Sequence, residues 1–463
     1  MRVSRRGLLL AAAALPLAAG GRPGRVLAQG GSQTPPTGQP AAAPELPPIL
    51  FVHGNGDHAA LWMTTLWRMA SNGVPHDRML ALNFTDPLAR ADDTKPQPFR
   101  SSTEDQRAEL AAAVAALKQR TGAARIALVG SSRGGYAIRN FIKNGGGGDV
   151  SHAVLCGVPN HGVYAWDDNP GNEFNGRGPF LTALNAGADE VTAGTAFLTL
   201  RSDNLDKYAQ PDGAFVGKAG HPTNVTFAGP ELRGATNLVL GPVDHRETAF
   251  SPRAFREIYK FIAGREPERI AIVPESEVKL SGLVTGLAGG VPTNRPVDEA
   301  ALEIYRVAPD TGERIGGAIH AAKTMADGRW GPVQVQPDWC LEFVLNVPGT
   351  PITHIYRSPF ARSSDVVHLR PAQPLGKTNN GIGALVMMSR PRGYFGLPRD
   401  IVLLNGKVPN DVKAGVPADS VTIARLPASD IGRPIVAMFN EERIVARSWP
   451  ASQNHVSIAE LTS

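Results

Sequence analysis

Cysteine is nearly absent from this sequence, with only two among 463 residues. So few thiols exclude a disulfide-stabilised scaffold and a cysteine-ligated zinc cluster. The sequence also lacks any run of about 18 apolar residues, the length that a transmembrane helix requires, so we expect no transmembrane anchor. Charged residues are scarce, at 19%. Glycine and proline, by contrast, supply 50 and 39 residues, which favours a loop-rich globular protein with much β-structure.

The first 28 residues have the pattern of an export signal. Two consecutive arginines in residues 4–9 precede an apolar run over residues 7–19, and residues 26–28 offer small side chains for cleavage. Residues 4–9 are similar to a twin-arginine signal. We therefore expect export to the periplasm or the extracellular space, and a flexible linker over residues 29–48.

The basic charge of the sequence lies partly in that signal. The formal net charge is +5, from 47 basic and 42 acidic residues, and residues 1–28 contain five arginines and no acidic residue. Removing those five from the 47 basic residues leaves 42, equal to the 42 acidic residues. Charge therefore gives no support to nucleic-acid binding, and we expect no nucleic acid as a partner.

From residue 49 onwards, short apolar runs alternate with helical patterns. Runs such as 49–52 and 126–129 show no polar alternation, which is typical of strands buried on both faces of a parallel sheet. A capping-box motif that begins at Ser101 predicts a helix over about 102–120. The fold class that we expect is α/β, with a doubly wound, mostly parallel sheet over residues 49–264.

After residue 264, polar and apolar residues alternate in short segments separated by turn residues. This pattern predicts antiparallel strands. We expect a β-sandwich domain over residues 275–371 and a second β-rich domain over residues 381–463. Two smaller all-β domains would thus follow the α/β domain.

A G-x-S-x-G motif at residues 130–134 joins a predicted strand to a predicted helix. In this context the central serine stands exposed at the carboxyl end of the sheet, on a turn so tight that glycine is needed on both sides. Ser132 is therefore the predicted nucleophile. The backbone N–H of Arg133 lies at the helix start, where unpaired donors favour an anion.

A serine hydroxyl requires an activating base, usually a histidine. We expect that base on the loop after the last strand, where His245 follows the predicted strand 236–240. We predict structural or exposed positions for the other histidines considered, which are His53, His152, His161, His221, His320, His354, His368 and His455.

The third member of such a triad orients the imidazole and stabilises the imidazolium that forms. The loop after the predicted strand 196–200 offers three candidates, Asp203, Asp206 and Asp212. We favour Asp206, because it precedes an apolar stretch and a proline that could fix a short loop. An aspartate that does not serve in the triad is expected to cap a turn.

The order Ser132, Asp206, His245 resembles that of the α/β-hydrolases. Residues 51–56 (F-V-H-G-N-G) are similar to the strand of lipases and esterases that ends in His-Gly. Residues 206–211 (D-K-Y-A-Q-P) resemble the loop that bears the acid in that family.

Residues 158–162 (V-P-N-H-G) resemble a Thr-Pro-His-x-Gly turn of bacterial lipases, from which Asn160 is a departure. The resemblance covers about residues 48–264. With weaker motifs, the β-rich remainder resembles the accessory lipid-binding β domains of some secreted lipases. We hypothesise that this remainder docks on an insoluble substrate or covers an acyl tunnel.

The resemblance implies a secreted serine carboxylic-ester hydrolase, and it favours a lipase that cleaves fatty-acyl esters through an acyl-enzyme. It also implies that the N–H groups of Asn55 and Arg133 form an oxyanion hole. No cofactor or metal is expected, and the expected partner is a lipid or other ester substrate, in solution or at an interface. The sequence leaves the oligomeric state open.

Two alternatives to a lipase remain. One is a hydrolase of other esters, namely a polyester or polyhydroxyalkanoate depolymerase or a short-chain esterase. The other is a catalytically dead hydrolase fold that serves as a binding or adhesion protein. Residues 163–194 add a further open point, because they could be a small lid or an ordinary connection.

Overall fold

Six short strands form a parallel sheet in the computed structural model, which describes residues 46–463. The predicted export signal lies outside the described residues. The strands are β1 (Ile49–Val52), β2 (Met79–Leu82), β3 (Ile126–Ser131), β4 (Val150–Cys156), β5 (Ala196–Ser202) and β6 (Thr236–Leu240). Their order across the sheet is β2-β1-β3-β4-β5-β6, and every neighbouring pair is parallel.

Helices cover both faces of this sheet. They are α1 (Met63–Ser71), α2 (Thr103–Thr121), α3 (Arg133–Lys143), α4 (Pro179–Leu184), α5 (Glu247–Phe250) and α6 (Pro252–Ala263). Successive side chains of a strand point to opposite faces. Phe51 therefore packs in the core with α1 and α6, whereas Leu50 packs in the core with α2 and α3. This double coverage explains why the strands are apolar without alternation.

Helix α2 begins one residue later than the sequence motif indicates. Its N-cap is Ser102, whose side chain accepts a hydrogen bond from the N–H of Asp105, while the Asp105 carboxylate accepts one from the N–H of Ser102. The acidic residue of this capping box is Asp105. The predicted capping box at Ser101 is wrong, and Ser101 instead accepts a hydrogen bond from the side chain of Arg133.

The chain after α6 contains strands but no α-helix within the described range. The strands are β7 (Val278–Leu283), β8 (Thr285–Ala288), β9 (Val291–Pro296), β10 (Ala301–Val307), β11 (His320–Lys323), β12 (Arg329–Val335), β13 (Cys340–Asn346), β14 (Ile352–Arg357), β15 (Ala384–Ser389), β16 (Val402–Leu404), β17 (Val421–Leu426), β18 (Pro434–Phe439), β19 (Glu442–Arg447) and β20 (His455–Glu460). The predicted α/β fold class, a mostly parallel sheet covered by helices and followed by all-β structure, is confirmed.

One seven-stranded sheet takes strands from both predicted β-rich regions. Its order is β11-β10-β13-β14-β20-β15-β17. The last strand, β20, lies parallel to both β14 and β15, whereas the other neighbouring pairs of this sheet are antiparallel. Strand pairing therefore crosses the stretch between the two predicted β-rich domains, and the domain boundaries within 275–463 stay a prediction.

Residues 46–463 belong to one compact unit. The core of the β7–β14 region includes Met63 and Trp67 from the first helix of the α/β region. None of the helices in the described range combines the length and apolar character that crossing a membrane requires.

Candidate active site

Ser132 lies at the tip of a strained turn between β3 and α3. Its backbone angles are φ 50° and ψ −124°, in a region that residues other than glycine rarely adopt. Ser131 ends the strand and Arg133 begins the helix. This is the strand–turn–helix geometry that the G-x-S-x-G motif predicts.

The neighbouring glycines leave no room for a side chain. A Cβ on Gly134 would lie 2.5 Å from the carbonyl oxygen of His53, and one on Gly130 would lie 2.6 Å from Cδ1 of Ile138. On the facing loop, a Cβ on Gly54 would lie 3.0 Å from the Cβ of Ser132. The serine is therefore held where the loop after β1 meets the end of β3.

His245 and Asp206 form a buried hydrogen-bonded pair. Nδ1 of His245 lies 2.9 Å from Oδ2 of Asp206, and the two side chains are only 3% and 4% exposed. The other oxygen of Asp206 accepts a hydrogen bond from the N–H of Tyr208 at 2.8 Å. The ring of Tyr208 meets that of His245 edge-on, with 4.7 Å between the ring centroids. These contacts fix the orientation of the imidazole.

The other two candidate aspartates cap turns. Asp203 accepts hydrogen bonds from the N–H of Leu205 at 3.2 Å and from the hydroxyl of Ser202 at 3.3 Å. Asp212 accepts one from the N–H of Ala214 at 3.0 Å. Of the three, Asp206 is the one that the structure brings to His245.

Ser132 and His245 both line one cavity of about 290 Å³. One group of lining residues is apolar or aromatic and comprises Val163, Tyr164, Phe174 and Val216. A second group carries polar or charged atoms and comprises Asp57, Asn172, Tyr208, Arg246 and Tyr394. The arrangement could hold an apolar group beside a polar one next to the serine.

The two residues expected to form the oxyanion hole belong to the loop after β1 and to the start of α3. Asn55 lines the cavity, and its side-chain oxygen accepts a hydrogen bond from the N–H of Ala89 at 2.8 Å, which fixes the loop after β1. Arg133 follows Ser132 directly as the first residue of α3. Whether their N–H groups stabilise an oxyanion stays a prediction.

The side chain of Arg133 makes a contact that the sequence patterns did not indicate. Its guanidinium donates to both oxygens of Glu173, at 2.5 Å and 2.7 Å, and both side chains are almost completely buried. Burial raises the pKa of Glu173, and Arg133 opposes that rise. Because Glu173 belongs to the excursion over 163–194, this ion pair ties the excursion to the start of α3.

The remaining histidines near the site have structural contacts. Nδ1 of the fully buried His53 lies 2.8 Å from the carbonyl oxygen of Gly54, and Nε2 accepts a hydrogen bond from the N–H of Phe84. Burial lowers the pKa of His53. His161 lies within hydrogen-bond distance of the carbonyl oxygen of Gly229 and of Glu190. These contacts agree with the structural positions that we expected.

Within residues 46–463, no group of three or more histidine, cysteine, aspartate or glutamate side chains could hold a metal ion. The two cysteines, Cys156 and Cys340, are both free thiols.

The comparison with protein families matches one part of the chain. Residues 276–374 match the family described as the lipase C-terminal domain. No curated protein matches the sequence. This match lies within the all-β structure that follows the parallel sheet.

Solved structures show more distant likenesses. Lipase B of Aspergillus fumigatus is 14% identical over 49% of this chain, with a TM-score of 0.36, and the match spans only 54% of that lipase. The mature lipase BlEst2 of Bacillus licheniformis is 20% identical over 50% of this chain and 96% of its own, also with a TM-score of 0.36. Phospholipase PlaB of Legionella pneumophila is 11% identical over 72% of this chain and 95% of its own, with a TM-score of 0.33. Likenesses at these TM-scores support no conclusion about this chain.

Proposed function

We propose that this protein is an exported serine carboxylic-ester hydrolase that acts as a lipase on fatty-acyl esters. One observation carries the proposal. A serine on a strained strand–helix turn shares a cavity with a histidine whose far ring nitrogen is hydrogen-bonded to a buried aspartate. Nucleophile, base and orienting acid in that arrangement suit acyl transfer.

In the proposed reaction, Oγ of Ser132 attacks the ester carbonyl while Nε2 of His245 accepts its proton. Nε2 is the basic nitrogen because the Nδ1–H of His245 donates to Asp206. The imidazolium then protonates the leaving alcohol, and an acyl-enzyme remains on Ser132. Water, activated by the same imidazole, attacks the acyl group and releases the acid and the free serine.

Negative charge develops on the carbonyl oxygen during both attacks. We propose that the backbone N–H groups of Asn55 and Arg133 donate to that oxygen. Loss of one such donor typically costs about 3 kcal/mol of transition-state stabilisation. The start of α3 at Arg133 adds the positive end of a helix dipole.

The apolar residues that line the cavity support an acyl group as part of the substrate. Val163, Phe174 and Val216 offer it a surface free of charge. The volume of about 290 Å³ is near the lower limit of ordinary ligand cavities, roughly 300 Å³, and favours a short-chain esterase as the second candidate. The same proposal includes export of the protein and a lipid or other ester as its partner. It also includes domain boundaries at 49–264, 275–371 and 381–463.

Rates on p-nitrophenyl esters of rising acyl length test this function. We expect turnover of the esters by the full chain and its loss in Ser132→Ala with an unchanged melting temperature. A maximum at long acyl chains supports the lipase, and a maximum at acetate or butyrate supports the short-chain esterase. Absence of turnover at every length would support the dead, binding fold instead.

A further inference from the structure

A loop from the C-terminal β region reaches the cavity that holds Ser132. Residues 390–400, called the 390–400 loop below, connect β15 to β16. Tyr394 in this loop lines the cavity together with Ser132 and His245. Only 4% of Tyr394 is exposed. Part of the cavity wall is therefore formed by a segment that follows the parallel sheet at a long distance in the sequence.

Asp244, the residue before His245, joins the 390–400 loop to the histidine turn. One of its carboxylate oxygens accepts a hydrogen bond from the N–H of Arg246 at 2.8 Å. The other oxygen accepts one from the N–H of Tyr394 at 2.8 Å and one from the guanidinium of Arg390 at 3.0 Å. Asp244 is fully buried, so water does not replace these donors if they are removed.

Arg390 also binds the helix that follows His245. Its second guanidinium nitrogen donates to Glu247 at 2.6 Å, and the first also donates to the carbonyl oxygen of Tyr394 at 2.5 Å. One side chain thus connects the residue before His245, the start of α5 and the cavity wall.

Tyr394 also contacts the residues that directly follow the proposed acid and base. Nζ of Lys207 lies 3.9 Å from the centroid of its ring, and the guanidinium carbon of Arg246 lies 5.1 Å from it. Both distances are within the range of cation–π attraction. Since Lys207 follows Asp206 and Arg246 follows His245, the tyrosine ring holds both loops.

We propose that the 390–400 loop is part of the active site, an inference that rests on the proposed function. Tyr394 is a specificity-determining residue whose side chain contacts the substrate. Arg390 is a positioning residue that acts on His245 through Asp244. Small soluble esters should then depend on this part of the β region as strongly as emulsified lipids do, which a mere docking surface does not require.

The first test measures kcat/KM for p-nitrophenyl acetate and octanoate in full-length Tyr394→Ala. We expect the ratio of the two values to change at least about tenfold, because a wall residue of the cavity affects long and short acyl esters differently. Tyr305→Ala, on β10 of the same β region, is the matched control and should keep the wild-type ratio. A wild-type ratio in Tyr394→Ala would overturn the role of Tyr394.

The second test separates kcat from KM in Arg390→Gln and Arg390→Lys. We expect kcat to fall at least about tenfold in Arg390→Gln with little change in KM, since a small displacement of the base slows the chemical step. Lysine should restore part of the loss because its cation can still pair with Asp244. Arg433→Gln, which breaks an exposed ion pair with Asp430, should behave as wild type.

A wild-type kcat in Arg390→Gln would overturn the positioning role, and so would an Arg390→Lys variant no better than a folded Arg390→Gln. If Arg390→Gln does not fold, the comparison of Arg390→Lys with wild type decides, and an unchanged kcat overturns the role. An inactive wild type would sink this inference together with the proposed function. If wild type turns over esters but the Tyr394 and Arg390 variants behave like their controls, this inference is wrong and the proposed function stands.

Discussion

Nδ1 of His245 lies 2.9 Å from Oδ2 of Asp206, although the two residues are 39 positions apart in the sequence. The loop after β5 supplies the aspartate and the loop after β6 supplies the histidine. Parallel strands end at the same edge of the sheet, so adjacent loops meet there. A carboxylate in this position keeps the proton on Nδ1 and leaves Nε2 free to act as a base.

Replacing Asp206 should reduce the rate of catalysis much more than the stability. Asp206→Asn keeps the shape of the side chain but loses its charge, and we expect kcat to fall by roughly 10⁴-fold, as in other Ser–His–Asp enzymes. Steady-state kinetics on a soluble ester measure the loss. Asp203→Asn is the matched control, because Asp203 only caps a turn, and its kcat should stay close to that of wild type. Equal losses in both variants would show that the acid is wrongly assigned.

A methyl group on Gly54 should disturb the nucleophile. Its Cβ would lie 3.0 Å from the Cβ of Ser132, so one of the two loops must shift. A small misplacement of the nucleophile can slow a reaction by up to about a hundredfold, and we expect a fall in kcat of that order for Gly54→Ala. Gly148→Ala adds the same methyl group in open space and should leave kcat unchanged. A fully active Gly54→Ala would argue against a fixed serine at this contact.

The sequence could predict the parts of the site that follow local rules. The strained turn at Ser132 has its own motif, and His245 follows a recognisable strand. The choice among Asp203, Asp206 and Asp212 stayed open because each lies in the same loop and differs only in its distant partner. Local spacing also placed the capping box one residue early, since Ser101 and Ser102 both precede an acidic residue by three positions.

Contacts between distant segments had no signal in the sequence. Tyr394 binds Asp244 across 150 positions, and Glu173 binds Arg133 across 40 positions. Neither pair belongs to a motif, and a lone charged or aromatic residue in a loop is usually exposed or packed for structural reasons. The sequence also could not predict the pairing of β20 with β14, because strand patterns do not specify the neighbouring strand.

Breaking the buried pair between Arg133 and Glu173 should destabilise the fold. Glu173→Gln leaves the guanidinium without its counter-ion, and removal of one partner from a buried ion pair costs about 3–5 kcal/mol. Urea unfolding measures the change in the free energy of unfolding. Glu231→Gln removes a half-exposed partner of Arg201, and the loss should be below about 1 kcal/mol. Similar losses of unfolding free energy in the two variants would contradict a stabilising buried ion pair between Arg133 and Glu173.

Stability should fall as the pH drops below about 6.5, in part because of His368. Burial lowers the pKa of His368 in the folded protein to about 3. The unfolded chain therefore binds more protons between pH 6.5 and 3, and each pH unit in this window costs about 1.4 kcal/mol. The free energies of unfolding measured with urea at pH 7 and pH 5 should differ by about 2 kcal/mol because of this group alone.

His368→Gln isolates that contribution, since its stability difference between the two pH values should be smaller by about 2 kcal/mol. The exposed His221 provides the control, and His221→Gln should keep the wild-type difference. An identical pH dependence in wild type and His368→Gln would exclude His368 as a source of the acid sensitivity.

Covalent labelling of the native full-length chain by a fluorophosphonate probe tests the nucleophile most directly. Peptide mass spectrometry should find one phosphonyl adduct, on Ser132, with ester turnover lost in proportion to labelling. The Ser132→Ala chain should take up no probe, and Asp206→Asn should be labelled more slowly than wild type. A wild-type chain that turns over esters while Ser132 stays unlabelled, or that carries the adduct on another residue, would refute Ser132 as the nucleophile.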